Sequence, residues 1–292
     1  MAGPLRARLL GAEDRERALA YLRAARDENL ILIDVVLRLG QVLRPGEFPP
    51  QIYGAFRSQP SGSDRSFREE LMGVIVVRPS VALSWGLSED ALEVFLPYLM
   101  RVPSGLLKSE RRVVEPLWNA LCGAGREAMI DRVEIAYRLS AKQIMPARAD
   151  LPGVARPARV EDLEELVYAA RASLWEENRP DPAEGDPVGF RRWVRGRLGR
   201  ARIVSEEGKP VFVAYADVRR EDGWLVQGVY TWPDARRRGF ARRGMDSVLR
   251  EAFASGASHV QLAVVEGNDR ASELYRTLGF EAFAELRTIL FH

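Results

Sequence analysis

The feature that most constrains the fold is a strand-like stretch that runs through an arginine-rich turn into a helix. The segment Thr231–Asp246 reads TWPDARRRGFARRGMD and places five arginines around Gly239. A helix N-terminus leaves about four backbone N–H groups without partners and carries about half a positive charge, so anions bind there readily. Two interpretations are open at this point: a solvated basic loop, or a cradle for an anion such as a phosphate.

Length and composition indicate a globular protein of about two domains, on the usual range of about 100–200 residues per domain. The chain has 292 residues, of which 47% are hydrophobic and 29% are charged. No apolar run approaches the ~18 residues of a membrane span, and charges interrupt the N-terminus before a signal-peptide core is complete. We therefore expect a cytoplasmic protein with no membrane partner.

The net charge and the small number of cysteines and histidines argue against two further classes of protein. The formal net charge is only +2, whereas a nucleic-acid binder usually carries a strongly basic face, so we expect no nucleic-acid partner. Cys122 is the single cysteine and there are two histidines, which excludes an internal disulfide and leaves little for a zinc site. We expect no metal.

A stretch rich in proline, glycine and alanine predicts a linker over residues 147–156, between one domain over 1–146 and another over 157–292. After the linker, the hydrophobic periodicities predict a helix, three antiparallel strands, a helix, a strand, a helix and a final strand. The third of the antiparallel strands leads into the arginine-rich turn. The last helix has Asn268 or the next residue as its N-cap and ends at Gly279.

Two of these helices begin with short motifs. Arg236, Gly239 and Ala241 fill the pattern Q/R-x-x-G-x-G/A, and the segment that begins at Asn268 reads NDRASELYRTLGF. The two segments resemble motifs A and B of the GNAT superfamily of acetyl-CoA-dependent N-acyltransferases, and they occur in the order of strands and helices that the fold requires. The resemblance covers about residues 154–292. It implies an α/β (α+β) fold in which a mixed, mostly antiparallel twisted sheet is flanked by helices.

The resemblance also implies where the co-substrate acetyl-CoA would bind. The sheet would splay between the strand at Leu225–Thr231 and the strand at His259–Val265, and the pantetheine arm would lie in the gap. The backbone of Val229, Tyr230 and Thr231 would pair with this arm and offer an N–H to the thioester oxygen. The residues that would hold the pyrophosphate are Arg236, Arg237, Arg238, Gly239, Phe240, Ala241 and Arg242.

Two side chains of the last helix receive roles in the same way, and each also has a simpler interpretation. Asn268 would hydrogen-bond the pantetheine, but it is equally a helix cap. Tyr275 would protonate the leaving thiolate, but it lies on the apolar face of its helix and is equally a core residue. No carboxylate lies in the strand Trp224–Trp232. The candidates for a general base acting through water are therefore Glu176 and Glu177, in a stretch that also reads as a solvated loop.

The first half of the chain repeats parts of the second. Arg8 aligns with Arg156 and Asp14 with Asp162, which indicates an internal repeat. A counterpart of motif B has Arg111 where Asn268 stands and Trp118 where Tyr275 stands. The strand that ends near Trp85 is followed by GLSEDAL, which does not match motif A. We therefore expect two GNAT-like domains, as in tandem GNAT proteins, with the first lacking the CoA motif.

The sequence thus predicts an N-acetyltransferase that moves an acetyl group from acetyl-CoA to a primary amine of a small molecule or peptide by direct attack in a ternary complex. A non-catalytic sensor that binds acyl-CoA remains an alternative, because it would keep the arginine-rich turn without an acceptor cleft. An arginine-rich RNA binder is disfavoured by the balanced charge. The fold does not fix the acceptor, and an oligomer is left open.

Overall fold

The computed structural model describes residues 3–42, 48–61, 66–146 and 153–292. Most of the predicted linker, 147–152, lies outside the described residues. The chain divides into two compact units, which do not follow one cut along the sequence. Unit 1 comprises Met1–Ala136, Val265–Gly267 and Phe283–His292, and unit 2 comprises Tyr137–Val264 and Asn268–Ala282. The linear domain limits 1–146 and 157–292 stay a prediction.

The first half of the chain alternates short helices with antiparallel strands. Its elements are β1 Leu5–Leu9, α1 Arg15–Arg23, α2 Leu30–Val36, β2 Gln51–Ser61, β3 Ser66–Arg78, β4 Ala82–Leu83, α3 Glu89–Leu99, β5 Gly105–Glu110, α4 Arg111–Gly123 and β6 Ala128–Ser140. One sheet of unit 1 has the order β1-β2-β3-β4. The core of the unit is built by residues such as Phe95, Leu107 and Leu117, which are fully buried.

The second half repeats this order of elements. They are β7 Arg156–Pro157, α5 Leu163–Glu176, α6 Pro187–Gly196, β8 Ala201–Glu206, β9 Lys209–Arg220, β10 Gly223–Thr231, α7 Phe240–Ala254, β11 His259–Val265, α8 Asp269–Thr277 and β12 Glu281–Phe291. In unit 2 the strands lie in the order β11-β10-β9-β8-β7. The predicted strands, and the helices that carry the two motifs, are confirmed. The end of β12 belongs to unit 1, where it pairs with β5 from Leu286 to Phe291.

The predicted internal repeat is visible as the same ion pair at the start of both halves. Arg8 makes two hydrogen bonds to Asp14, at 2.6 and 2.7 Å, and Arg156 makes two to Asp162, both at 2.9 Å. In each half the aspartate also accepts from the backbone N–H three residues before it. The aligned residues therefore have the same structural role in both halves: they fix the turn between the first strand and the first helix.

Helix α6 was missed by the sequence analysis, which predicted no helix between α5 and the three strands. Asp186 caps it by accepting from the N–H of Gly189 at 2.8 Å, and Pro187 stands at its first turn. Phe190 and Val194, four residues apart, are its buried residues. The cap, the proline and the apolar pair were signals for a helix, but the apolar face is too short to stand out among the arginines.

The two faces of the sheet in unit 2 are covered by different helices. Tyr215 and Val213 of β9 belong to a buried cluster with residues of α5 and α6. Phe212 points to the opposite face, because successive side chains of a strand alternate. It lies against Gly244 of α7 so closely that a Cβ atom there would be 2.4 Å from the ring. Helix α7 is therefore held tightly on the sheet, which fixes the position of its N-terminus.

The sheet opens between β10 and β11, as the resemblance to the GNAT superfamily implied. Their parallel pairing comprises only Trp224 with Val260 and Leu225 with Gln261, although β10 continues to Thr231. On its other edge β10 pairs with β9, but the register shifts between Gln227 and Tyr230. The resulting bulge contains Gly228 in a left-handed conformation (φ +55°). A bulge bends a strand, and the pairing of β10 with β11 given above ends at Leu225, so the later part of β10 borders the gap.

Two general findings concern the described residues. None of their helices is long and apolar enough to cross a membrane. No group of three or more histidine, cysteine, aspartate and glutamate side chains among them is arranged to hold a metal ion.

Candidate acyl-CoA site

The arginine-rich turn leads from β10 into α7 through a short 3-10 helix at Pro233–Ala235. Gly239 is the N-cap of α7 and has a left-handed conformation with φ +84°. Arg237, two residues before it, is also left-handed with φ +60°. Successive N–H groups in a turn that contains left-handed residues can face one side and form an anion-binding nest. Glycine is favoured at the cap because a side chain there would be strained.

The backbone of this turn carries a run of unused donors. Among the residues that the structure describes, no N–H from Arg237 to Arg242 has a hydrogen-bond acceptor, and the next N–H, of Arg243, donates to the carbonyl of Gly239 at 3.0 Å. Gly239 has no side chain that could cap the helix. These donors coincide with the positive end of the α7 dipole. The turn can therefore accept an anion with several oxygens, such as a pyrophosphate.

The arginine side chains contribute less free charge than the sequence suggested, because the protein itself binds several of them. Arg238 makes two hydrogen bonds to Glu206, at 2.8 and 2.6 Å, and Arg243 donates to the carbonyl of Gly153 at 3.1 Å. Arg242 reaches the carbonyl of Thr277 only at 3.4 Å. The anion-binding capacity of the turn therefore resides first in its backbone.

Arg236 connects the end of β10 to the end of α5. Its Nε donates to the carbonyl of Thr231 at 3.0 Å, and its Nη2 donates to Oε1 of Glu176 at 2.5 Å. The hydroxyl of Tyr230 lies 3.4 Å from the same carboxylate oxygen. Burial and the nearby carboxylate raise the pKa of Tyr230 to about 12. Glu176, predicted from sequence as a possible base, thus lies beside the strand that would bind pantetheine, whereas Glu177 pairs with Arg179 at 3.8 Å.

The residues predicted from motif B lie on α8. Asn268 is the N-cap of this helix, and its side chain accepts from the N–H of Ala271 at 3.2 Å. The cap interpretation is therefore confirmed, and the role towards pantetheine stays a prediction that would use the amide NH₂ group. Tyr275 is 6% exposed and packs edge-on against Phe280 with ring centroids 5.7 Å apart. Its burial raises the pKa of the phenol.

A second group of side chains near the bulge was not found from the sequence. Arg197 follows α6 and binds Asp217 of β9 through Nε at 3.2 Å and Nη2 at 2.5 Å. Its guanidinium lies 4.1 Å from the ring centroid of Tyr215 and 4.7 Å from that of Trp193. These residues lie on separate elements and match no short motif. A run of arginines with no acid over 187–200 was the available signal.

Residues 164–280 match a family model described as "Acetyltransferase (GNAT) family". A Drosophila protein of known structure is similar over 97% of this chain and 98% of its own, with a TM-score of 0.63 and 16% identity. A GCN5-related N-acetyltransferase from Sphaerobacter thermophilus covers 98% of this chain and 94% of its own, with a TM-score of 0.57 and 17% identity. A tandem GNAT protein from the clavulanic acid biosynthesis pathway covers 98% and 97%, with a TM-score of 0.51 and 12% identity. No curated protein matches the sequence significantly.

The resemblance to the GNAT superfamily that two motifs suggested is confirmed by these matches, and so is the predicted fold class. The match to the GNAT family model spans residues 164–280, which is less than half of the chain. The fold of the chain as a whole is that of a tandem GNAT protein. The general chemistry of this class is acyl transfer.

Proposed function

We propose that the protein transfers an acetyl group from acetyl-CoA to a primary amine by direct attack within a ternary complex. The observation that carries the proposal is the run of unbonded N–H groups from Arg237 to Arg242 at the N-terminus of α7. This cradle lies at the end of β10, next to the place where β10 separates from β11. A cradle and an adjoining open strand edge together suit a long ligand with a pyrophosphate and an amide-containing arm.

The backbone of the chain would hold acetyl-CoA along its length. The N–H groups from Arg237 to Arg242, with the side chains of Arg236 to Arg238 on the rim, would bind the pyrophosphate. The open edge of β10 from Val229 to Thr231 would pair with the pantetheine amides. Asn268 has already used its carbonyl oxygen as a cap, and its NH₂ group would donate to the same arm.

The bulge would contribute to catalysis as well as to binding. A backbone N–H at Val229 would hydrogen-bond the thioester oxygen, which becomes negative as the amine attacks. A donor that is fixed before the reaction stabilises this charge without reorganisation. Alignment of the amine and the thioester in one site supplies much of the remaining rate.

Proton transfer completes the reaction. A nitrogen–carbon bond forms and the carbon–sulfur bond breaks, so the amine loses a proton and the thiolate gains one. Tyr275 would give its proton to the thiolate. Because burial raises the pKa of its phenol, the group is protonated at neutral pH. Glu176 or Glu177 would take the amine's proton through water.

The two glutamates differ in how they could act. Glu176 is bound by Arg236 and lies close to the hydroxyl of Tyr230, so it is held in place beside β10 while its side chain remains 49% exposed. Glu177 instead lies 3.8 Å from the guanidinium of Arg179. Glu176 is therefore the better candidate for a positioned proton acceptor, with water as the link to the amine.

Calorimetric titration of the full chain with acetyl-CoA, followed by a CoA-thiol release assay over a panel of primary amines, tests the proposal. We expect one acetyl-CoA per chain and CoA release that depends on an amine. Tight binding without release for any amine would favour the sensor, and no binding would reject the cradle. The proposal keeps the sequence-based predictions of a cytoplasmic protein with no metal and with no nucleic-acid or membrane partner.

A further inference from the structure

Arg197 is held in a fixed orientation on the α5–α6 side of the sheet in unit 2. Its guanidinium stacks between the rings of Tyr215 and Trp193, 4.1 and 4.7 Å from their centroids, and two of its nitrogens bind Asp217. Its side chain is only 16% exposed. Stacking and a bidentate pair together determine the plane of the guanidinium, so its remaining donors also point in a defined direction.

This group lies against the bulge of β10. A Cβ atom on Gly228 would be 3.0 Å from Cδ2 of Tyr215 and 3.9 Å from Nη2 of Arg197. Gly228 immediately precedes Val229, whose N–H is assigned to the thioester oxygen in the proposed function. The Tyr215 ring and the Arg197 guanidinium are therefore close neighbours of the place where the amine would attack.

Two donors of this group have no partner among the described residues. The hydroxyl of Tyr215 is buried and makes no hydrogen bond, although the residue is only 3% exposed. Nη1 of Arg197 also makes no hydrogen bond, since Nε and Nη2 are the atoms that bind Asp217. A buried hydroxyl without a partner is costly. An acceptor atom that arrives with a ligand would remove this cost.

The surrounding charge favours an anion as that ligand. The segment 187–200 contains no acidic residue, and its basic residues are Arg191, Arg192, Arg195, Arg197 and Arg200. Asp217 is shared between Arg197 and Arg200, the latter at 3.7 Å, so the immediate group retains a net positive charge. A positive surface raises the local concentration of anionic substrates.

We propose that the amine acceptor also carries a carboxylate, as an amino acid does, and that Arg197 Nη1 and the Tyr215 hydroxyl bind this carboxylate beside Gly228. The inference rests on the proposed function and deepens it by naming the class of acceptor. Arg197 and Tyr215 would act as specificity-determining residues. Their effect would appear in the KM for the acceptor rather than in acetyl-CoA binding.

The test compares each proteinogenic amino acid with its carboxamide in the CoA-release assay on the full chain. We expect at least one amino acid to be acetylated with kcat/KM about 10- to 100-fold above its carboxamide, the range for hydrogen bonds to a charged group. Tyr215→Phe and Arg197→Lys should remove most of this preference by raising the KM for the acid. Arg195→Gln is the matched control, because Arg195 is an exposed arginine on the same segment.

The outcomes separate the inference from the function on which it rests. If amines are acetylated but acids and carboxamides react equally, or if Tyr215→Phe lowers both equally, the carboxylate site is wrong and the acetyltransferase remains. If Arg195→Gln removes the preference as Arg197→Lys does, the preference reflects net charge and the assigned site is also wrong. If acetyl-CoA binds and no compound is acetylated, the proposed function fails and the inference fails with it. Unchanged thermal unfolding of Tyr215→Phe shows that a loss of preference is not a loss of fold.

Discussion

The two halves of the chain differ most at the end of their fourth strands, although the order of elements is the same. After β10, the N–H groups from Arg237 to Arg242 have no acceptor among the described residues. Between β4 and the start of α3, side chains of unit 1 accept from four backbone N–H groups. The pairs are Leu83 N–H with Ser109 Oγ at 3.3 Å, Trp85 N–H with Asn29 Oδ1 at 2.8 Å, Gly86 N–H with Glu110 Oε2 at 3.0 Å and Ala91 N–H with Ser88 Oγ at 3.3 Å.

This difference lies in the region where unit 2 would bind acetyl-CoA under the proposed function. Ser109 lies on β5. Its hydroxyl accepts from the N–H of Leu83 on β4 and donates to the carbonyl of Leu83 at 2.8 Å, so it joins β4 to β5. Ser88 caps α3, and Glu89 and Asp90 follow in its first turn. Acidic residues stabilise a helix N-terminus but repel a second anion. Unit 1 thus binds with its own side chains some of the backbone N–H groups in the region where unit 2 would bind acetyl-CoA.

The largest expected effect concerns the buried aromatic residues of the two motif-B helices. If Tyr275 protonates the thiolate, Tyr275→Phe should lower single-turnover acetyl transfer by about 10²- to 10⁴-fold, the usual loss for a general acid. Acetyl-CoA affinity, measured by calorimetry, should remain nearly unchanged because only the hydroxyl is removed. Since its pKa is raised, ionisation of Tyr275 should not reduce the rate below about pH 10, the ordinary value for tyrosine.

Trp118→Phe provides the control for Tyr275→Phe in the first half. Trp118 is buried on α4 and packs against Phe291 with centroids 5.8 Å apart. Its replacement should lower stability to urea but leave the transfer rate intact. If Tyr275→Phe turned over at the parent rate, Tyr275 would be a core residue like Trp118, and the difference between the two helices would lie in cofactor binding alone.

The next effect concerns the glycines that follow the two fourth strands. Gly239→Val should weaken acetyl-CoA binding by about 10- to 100-fold, because a β-branched residue at φ +84° introduces about 1–3 kcal/mol of strain at the cradle. Gly86 is also left-handed, with φ +67° and open space around its Cα. Gly86→Val should therefore carry a similar strain without changing acetyl-CoA affinity. Equal calorimetric affinities for Gly239→Val and the parent would show that the turn at Gly239 does not bind acetyl-CoA.

The sequence predicted those parts of unit 2 that local patterns encode. Gly239 and Ala241 belong to a motif whose spacing reflects close approach of backbone to a ligand, and Asn268 and Gly279 mark helix ends by their conformational preferences. These positions could be read without a structure. The splayed sheet followed from the resemblance, because no periodicity reports where two strands separate.

Other features could not be predicted, because they depend on residues distant in the sequence. Glu176 meets Arg236 across 60 positions and Arg197 meets Asp217 across 20, and no local pattern encodes such pairs. The N-cap of α4 is Glu110, one residue before Arg111, which the sequence alignment placed opposite Asn268; alignment of apolar positions cannot resolve a shift of one residue. The absence of motif A from the first half was visible in the sequence, but the hydrogen bonds of Ser109 and Asn29 to the backbone there required the structure.

A smaller effect, equal in the two halves, is expected at the arginine–aspartate ion pair that both halves contain. Asp14→Asn and Asp162→Asn should each lower the free energy of unfolding by about 1–3 kcal/mol, the range for hydrogen bonds that involve charged groups. The paired arginine lowers the pKa of both aspartates. A lowered folded pKa gives a stabilisation that is present above the unfolded pKa of about 3.9 and is lost as the pH falls through the folded value. Urea unfolding at pH 7 and pH 3 should therefore show a difference from the parent that shrinks at pH 3. A loss in one half only would contradict the structural repeat.

The smallest expected effect separates the two helix caps. Ser88 and Asn268 each accept from the N–H three residues on, at 3.3 and 3.2 Å, so Ser88→Ala and Asn268→Ala should each cost about 1 kcal/mol of stability, as cap removals usually do. Their effects on acetyl-CoA should differ. Only Asn268 retains an NH₂ group that would reach the pantetheine, so only Asn268→Ala should weaken calorimetric affinity, by about 5- to 10-fold for one neutral hydrogen bond of about 1 kcal/mol or slightly more. If both variants lost stability and neither lost affinity, Asn268 would be a cap and nothing more, and the contrast between the halves would then depend on the α7 turn alone.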